Sequence, residues 1–188
     1  LICGHLEIEE AMSSFIGYLD QYMPASAIFL MFYDVDYGAM RTIAEATAGK
    51  GERTDRLTTL PQDGRDYLSN MADLIKKEKR HPVQIVNRPQ NAPISRTMVE
   101  DYDTPDTSLL IMWLAIEGSF IGIVVIECVG KDRYTDDHAR LLTLLTEPFT
   151  IAVSNHLKHQ EVLTLKERLQ DDNRYLHQEM KRMIGENI

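Results

Sequence analysis

Two apolar segments joined by a tight turn constrain the fold of this chain most strongly. They are Ser108–Ile116 and Phe120–Val129, and Glu117-Gly118-Ser119 connects them. Both are almost continuously apolar, which is typical of strands that are covered on both faces in the middle of a sheet. Glu-Gly supplies the positive φ that a short hairpin loop requires. The sequence therefore predicts a central β-hairpin, with Gly122 at a point where another element approaches closely.

The remaining segments predict helices and further strands around this hairpin. Amphipathic periodicity predicts four helices, at residues 8–22, 62–80 and 95–102 and from Thr135 onward. Short apolar or alternating runs predict strands at residues 26–34, 40–48, 57–60 and 83–86. Ser95 and Thr135 are the expected N-caps, and His138 stands where a capping box usually has glutamate. Strands and helices together indicate an α+β protein.

Composition narrows the class of protein. The length of 188 residues suits one domain with an appendage, and the net charge of -9 argues against direct contact with nucleic acid. No apolar run is long enough to cross a membrane. The two cysteines, Cys3 and Cys128, form no metal-binding or disulfide pattern, so we expect a cytoplasmic setting. Because the chain begins at Leu1 without a signal pattern, we expect it to be a piece of a longer protein.

The chain shows no recognisable catalytic constellation. The sequence has no glycine-rich phosphate loop and no nucleophile elbow, and its histidines are scattered. Two histidines, His156 and His159, lie one helical turn apart, but no carboxylate or cysteine completes a metal ligand set with them. We therefore expect no enzymatic activity, no cofactor and no tightly bound iron or zinc.

Several motifs in the second half of the chain resemble a GAF domain. These are Ser-Leu-Leu at residues 108–110, Gly118-Ser-Phe-Ile-Gly122, Tyr134-Thr-Asp-Asp-His-Ala-Arg-Leu-Leu142 and Ile151-Ala-Val-Ser-Asn155. GAF domains are small-molecule sensors built on a central antiparallel sheet flanked by helices. The resemblance implies such a domain at residues 1–157, with a ligand cavity between the hairpin and a roof at residues 84–107.

The end of the chain resembles a linker in a particular class of regulator. Glu167-Arg-Leu-Gln-Asp-Asp-Asn-Arg-Tyr-Leu176 and Ile184-Gly-Glu-Asn-Ile188 are similar to the segment that enters the AAA+ domain of bacterial sigma-54-dependent transcription activators. The resemblance implies a coiled-coil linker at residues 158–188 that leads to an AAA+ ATPase domain of the same chain. The implied function is sensing of an unidentified small molecule, and the alternative is a ligand-free module for dimerisation and signal relay.

Five residues are candidates for ligand binding. Glu127 lies in an otherwise apolar strand, so it must lie at a solvated strand end, form a pair or face a polar cavity. Only one of Glu127 and Trp113 is expected to face inward, with strand register deciding which. Arg88 and Arg96 flank the roof and could bind a carboxylate. By the resemblance, Leu109 replaces an iron-binding cysteine of nitric-oxide-sensing activators and Glu127 matches a carboxylate ligand, so we expect no iron.

The tail carries an apolar seam with near-heptad spacing. Its members are Val162, Leu165, Leu169, Asn173, Leu176, Met180 and Met183. The steps of three and four residues contain one extra four-residue step near Leu169, a stutter that locally unwinds a supercoil. Asn173 falls on an a-type position, where a buried asparagine favours two parallel strands. The sequence therefore predicts a parallel two-stranded coiled coil and a homodimer.

Overall fold

The computed structural model describes residues 8–77 and 82–185, and it contains a six-stranded antiparallel sheet with flanking helices. The strands are β1 Ala27–Asp34, β2 Ala39–Thr47, β3 Lys50–Thr59, β4 Val83–Val86, β5 Thr107–Ile116 and β6 Ser119–Val129. The helices are α1 Ile8–Leu19, α2 Gln62–Lys76, α3 Pro93–Asp101 and α4 Asp136–Gly185. The predicted α+β fold class is confirmed.

The predicted hairpin lies inside the sheet. The strand order is β3-β2-β1-β6-β5-β4, so β5 and β6 both have neighbours on each side. Glu117 and Gly118 form the turn with φ values of 49° and 74°, as the Glu-Gly pair predicts. A Cβ on Gly122 would lie 2.6 Å from the carbonyl oxygen of Met31, so the neighbouring strand approaches as closely as expected.

Apolar side chains cover both faces of the sheet. On one face, Phe15 of α1 packs edge to face against Phe149 of α4, with ring centroids 4.5 Å apart. On the other face, α2 and α3 bury a cluster that includes Met71, Met98 and Ile111. Thr135 precedes α4 and donates its backbone N–H to His138 Nδ1 at 3.2 Å, which confirms the predicted capping role of His138.

The structure corrects three predicted element boundaries. Helix α1 ends at Leu19, and a turn carries the chain past Tyr22. Helix α3 begins at Pro93, which suits the first helical position, whereas the predicted cap Ser95 is buried inside the helix. Strand β3 starts at Lys50 instead of residue 57, because backbone pairing to β2 extends a segment too polar for its pattern to reveal.

The chain divides into two compact units, Leu1–Ala152 and Val153–Ile188. The predicted functional boundary between Leu157 and Lys158 stays a prediction. The predicted end of α2 at Arg80 and the linker signature after Gly185 fall outside the described residues, as does the side chain of Met183. None of the described helices combines the length and the apolar character needed to cross a bilayer.

Candidate functional site

A small cavity lies between the sheet and α3. Strands β1, β5 and β6 form its floor, and α3 with the segment that follows it forms its roof. Its volume is about 30 Å³, measured as the space that the centre of a water-sized sphere can occupy. Its lining residues are Phe29, Met31, Ile94, Ser95, Met98, Val99, Tyr102, Thr104, Leu109, Ile111, Ile123, Val125 and Glu127. The cavity thus lies where the resemblance predicted one, between the hairpin and residues 84–107.

Strand register explains which hairpin residues reach the cavity. Leu109 pairs with Glu127 and Trp113 pairs with Ile123, and directly paired residues of an antiparallel ladder share a face. Leu109 and Trp113 are four residues apart on β5, so Trp113 and Glu127 lie on the same face. The expectation that only one of them faces inward is therefore wrong.

Glu127 is the carboxyl group of this cavity. The residue is only 9% exposed, and Thr104 Oγ1 donates a hydrogen bond to Glu127 Oε2 at 3.2 Å. Burial raises the pKa of Glu127, and the bond from Thr104 opposes this rise only in part. Within the described part of the chain, Glu127 forms no ion pair. Of the three alternatives predicted for Glu127, the structure shows neither a solvated strand end nor an ion pair. The carboxyl faces a cavity, and that cavity is mainly apolar.

Trp113 lies in a second, smaller cavity beside the first. The volume of this cavity, measured in the same way, is about 20 Å³. It shares four lining residues with the first cavity: Ile94, Ser95, Ile111 and Ile123. The indole packs against Phe120, with ring centroids 5.7 Å apart. Of the five predicted ligand residues, the structure brings Leu109 and Glu127 into one cavity and Trp113 into the neighbouring one.

The two candidate arginines lie away from the cavity. Arg88 pairs with Asp132 at 2.9 Å, and Arg96 pairs with Asp63 at 3.2 Å. The arginine side chains are 64% and 44% exposed, respectively. Neither arginine lines the cavity. Arg96 lies outside because α3 turns its apolar side to the sheet. Arg88 lies outside because it precedes the short 3-10 turn that leads into α3. The idea that they receive a carboxylate ligand in this cavity is therefore not supported by their position.

Tyr102 connects the cavity to a larger surface cleft. Its hydroxyl is 2.7 Å from Thr42 Oγ1, its ring meets Phe29 edge to face at 5.2 Å, and Arg56 lies 3.9 Å above the ring. The cleft has about 230 Å³ open to the centre of a water-sized sphere, and Phe29 and Tyr102 line both spaces. Burial, reinforced by the neighbouring Glu52, raises the pKa of Glu45 in this cleft.

Sequence reasoning missed most of the cavity wall. Val125 and Ile123 could have been found from Glu127, because residues two and four positions away along a strand share its face. Phe29, Tyr102 and Thr104 carry no such signal, since only tertiary packing brings their segments to β6. The missed residues nevertheless supply the hydroxyl that contacts Glu127 and the aromatic wall of the site.

Comparison with known proteins supports the fold and a relationship in sequence. No model of a known protein family matches the sequence. The formate hydrogenlyase transcriptional activator of Salmonella typhimurium is 22% identical over 191 residues, which cover 98% of this chain and 26% of that protein. The corresponding activator of Escherichia coli is 25% identical over 113 residues, covering 60% of this chain and 16% of that protein. The chain thus spans about a quarter of the length of the Salmonella relative.

Solved structures of low sequence identity share the fold. The PixJ GAF domain of Thermosynechococcus elongatus superposes with a TM-score of 0.57 at 12% identity, covering 86% of this chain and 92% of that one. The GAF domain of a two-component sensor histidine kinase from Bacillus halodurans gives 0.55 at 12% identity, covering 83% and 99%. The chain therefore adopts the GAF fold and is related in sequence to one part of the formate hydrogenlyase transcriptional activators.

Proposed function

We propose that this chain is the regulatory, small-molecule-sensing domain of a sigma-54-dependent transcription activator. One observation carries the proposal: a cavity with a buried carboxyl lies between the sheet and α3. The sequence similarity to the Salmonella formate hydrogenlyase transcriptional activator, which covers 98% of this chain, supports it. In this proposal the domain is not an enzyme. It binds a ligand, makes no direct contact with nucleic acid, and controls an AAA+ ATPase domain of the same chain through α4.

A short, hydrogen-bonded path from the cavity to α4 supports this mechanism. Glu127 lies two residues before the end of β6, and α4 begins at Asp136. Ser108 Oγ donates to the Gly130 carbonyl at 2.8 Å and accepts from the Arg133 N–H at 3.1 Å, so the connecting loop is attached to β5. A ligand that displaces β6 would therefore move the start of α4 with it.

Tyr134 attaches the same loop to two other parts of the domain. The Asn87 side chain donates to the Tyr134 carbonyl at 2.8 Å and accepts from its N–H at 2.9 Å. The Tyr134 hydroxyl donates to the Pro24 carbonyl at 2.8 Å. These bonds limit independent motion of the loop, which favours transmission of a displacement from the sheet to the helix.

Native mass spectrometry tests the sensing role. A small molecule that copurifies with the chain and is released on denaturation supports it. Val125→Phe places a larger side chain in the cavity and should abolish retention of that molecule, while circular dichroism checks that the variant folds. Retention unchanged in Val125→Phe would show that the molecule binds elsewhere and would contradict a sensing role for this cavity.

The second candidate function is a ligand-free module for dimerisation and signal relay. Two observations favour it: the cavity is small, and seam residues of α4 such as Leu169 and Leu176 are 63% and 58% exposed. This function predicts a homodimer with no copurified molecule and an unchanged association constant in Val125→Phe. The same mass spectra therefore separate the two functions.

A further inference from the structure

Glu127 is the only carboxyl group that lines the cavity under α3, and no basic side chain lines it among the described residues. The other lining groups are apolar side chains, two aliphatic hydroxyls and the Tyr102 ring. The candidates for a counter-charge are engaged elsewhere. Arg56 lies over the Tyr102 ring but pairs with Asp101, while Arg88 pairs with Asp132 and Arg96 with Asp63. The cavity therefore has a negative or hydrogen-bond-accepting end without a built-in cation.

Glu127 also has unused capacity to accept hydrogen bonds. A carboxylate has about four acceptor positions. Among the described residues, one hydrogen-bond donor reaches the Glu127 carboxylate, and that donor is Thr104 Oγ1. A buried charge is costly unless a counter-charge and hydrogen bonds compensate for its lost hydration. A ligand with a positively charged donor would provide both at once, and charge-assisted hydrogen bonds are stronger than neutral ones.

The size of the cavity limits the ligand. The space of about 30 Å³ exceeds the roughly 10–15 Å³ that one water requires on the same measure. A molecule of about two or three non-hydrogen atoms could therefore enter without rearrangement of α3. Leu109 and Val125, which lie on the floor near Glu127, offer an apolar surface to the rest of such a molecule.

We propose that the cavity binds a small protonated alkylamine, with its ammonium group on Glu127 and its alkyl group against Leu109 and Val125. The proposal rests on the sensing function above and names the chemical class of its ligand. It also implies selectivity, because a small carboxylate of similar size would place a second negative charge beside Glu127. A neutral alcohol would gain the apolar contact but not the charge-assisted bond.

The surroundings of Glu127 make amine binding depend on pH. The other titratable groups that interact with it are the Cys128 thiol and the Tyr134 phenol, and Tyr102 lines the same cavity. Burial raises the pKa of all three groups, so they stay neutral at neutral pH. Glu127 is therefore the group whose charge changes as the pH rises through its own raised pKa. Amine affinity should therefore increase as the pH rises through the pKa of Glu127 and then level off.

Three probes of three non-hydrogen atoms each test the proposal: ethylammonium, ethanol and formate. Each is titrated into the whole chain at constant ionic strength while NMR follows the methyl groups of Leu109 and Val125. Ethylammonium should give saturable shifts with a millimolar Kd, near the limit for so small a ligand. Glu127→Gln should weaken it at least tenfold, whereas Glu147→Gln, which removes an exposed carboxylate on α4, should not. Thermal unfolding checks that both variants fold.

The other outcomes refute the amine proposal, and they are distinguishable from a failure of the sensing proposal. Saturable binding of ethanol or formate at these methyl groups, unaffected by Glu127→Gln, would refute the amine proposal and leave small-molecule sensing intact. Ethylammonium binding that Glu127→Gln does not change would also refute it. If no probe shifts the methyl groups, the amine proposal fails, and native mass spectrometry of the copurified state decides separately whether the domain senses another molecule.

Discussion

At the scale of single residues, Glu127 is the one charged side chain that is buried among the described residues. Its carboxyl lies among apolar side chains with Thr104 as its hydrogen-bond donor. Its cross-strand partner is Leu109. By the resemblance, Leu109 and Glu127 match two ligand positions of nitric-oxide-sensing activators, and the two residues are neighbours in space. This pair, rather than the exposed arginines, defines the chemistry available to a ligand.

The raised pKa of Glu127 predicts a specific dependence of stability on pH. Because the folded state holds the proton more tightly than the unfolded state, the favourable contribution is complete below about pH 4.3, the unfolded value. It is lost as the pH rises through the folded-state pKa. Urea unfolding should show that the free energy of unfolding of Glu127→Gln rises relative to that of the wild type between acidic and neutral pH. The control Glu147→Gln should follow the wild type, and parallel profiles for all three proteins would contradict the prediction.

Leu109 leads to a prediction about metals. By the resemblance to nitric-oxide-sensing activators, Leu109 takes the place of a thiolate ligand, and it pairs with Glu127 in the sheet. None of the described residues form a group of three potential metal ligands. Elemental analysis of protein purified without chelator should therefore find neither iron nor zinc at stoichiometric amounts. Near-stoichiometric metal that withstands dialysis would contradict this expectation.

At the scale of elements, close packing between β6 and β1 defines the floor of the site. Strand β1 pairs with β6 from Ala27 to Met31, and the neighbouring carbonyl of Met31 leaves no room for a Cβ at Gly122. A bulge between Leu114 and Ala115 lies opposite this point. The position and twist of the cavity-lining strands thus depend on a glycine that is not itself in the cavity.

Substitution of two glycines should have opposite effects on stability. Gly122→Ala would place a Cβ 2.6 Å from the Met31 carbonyl oxygen and should lower the free energy of unfolding by about 1–3 kcal/mol. Gly17→Ala is the matched control, because no atom lies within 4 Å of its Cβ position and the residue is in the interior of α1. Gly17→Ala should raise the free energy of unfolding by up to about 1 kcal/mol. Chemical denaturation measures both, and equal effects would refute the packing argument.

At the scale of the whole molecule, the second unit presents apolar side chains that one chain leaves exposed. Val162, Leu165, Leu169, Leu176 and Met180 are 51–63% exposed. They follow the seam predicted from the sequence, and Asn173 is exposed among them. Full burial of one leucine contributes about 1.5–3 kcal/mol, which a partner helix would supply. The predicted coiled coil and homodimer remain predictions that this exposure supports.

Light scattering after size exclusion tests the homodimer. The wild-type chain should be dimeric at micromolar concentration. Leu169→Asp should make it monomeric, because it would bury two carboxylates in the seam. Gln170→Asp introduces the same residue at the next, off-seam position and should leave the dimer intact. A monomeric wild type, or equal loss of association in both variants, would refute the parallel coiled coil.

Local chemistry explains what the sequence by itself determined. The hairpin turn at Glu117 and Gly118 and the capping of α4 by His138 depend on neighbours in the chain or on a requirement for a particular backbone conformation. Continuous apolar strands likewise indicated that the hairpin lies inside the sheet. The fold class and most element positions followed from such short-range signals together with the family resemblance.

Only the tertiary structure decided the composition of the site. Register aligned Leu109 with Glu127, and packing of α3 brought Thr104 to Glu127, 23 residues away in the sequence, and Tyr102 to the same cavity. The same packing left Arg88 and Arg96 in exposed ion pairs outside the cavity. Burial and pairing of this kind depend on contacts between distant segments, and a side chain's local pattern carries no information about which distant group it will meet.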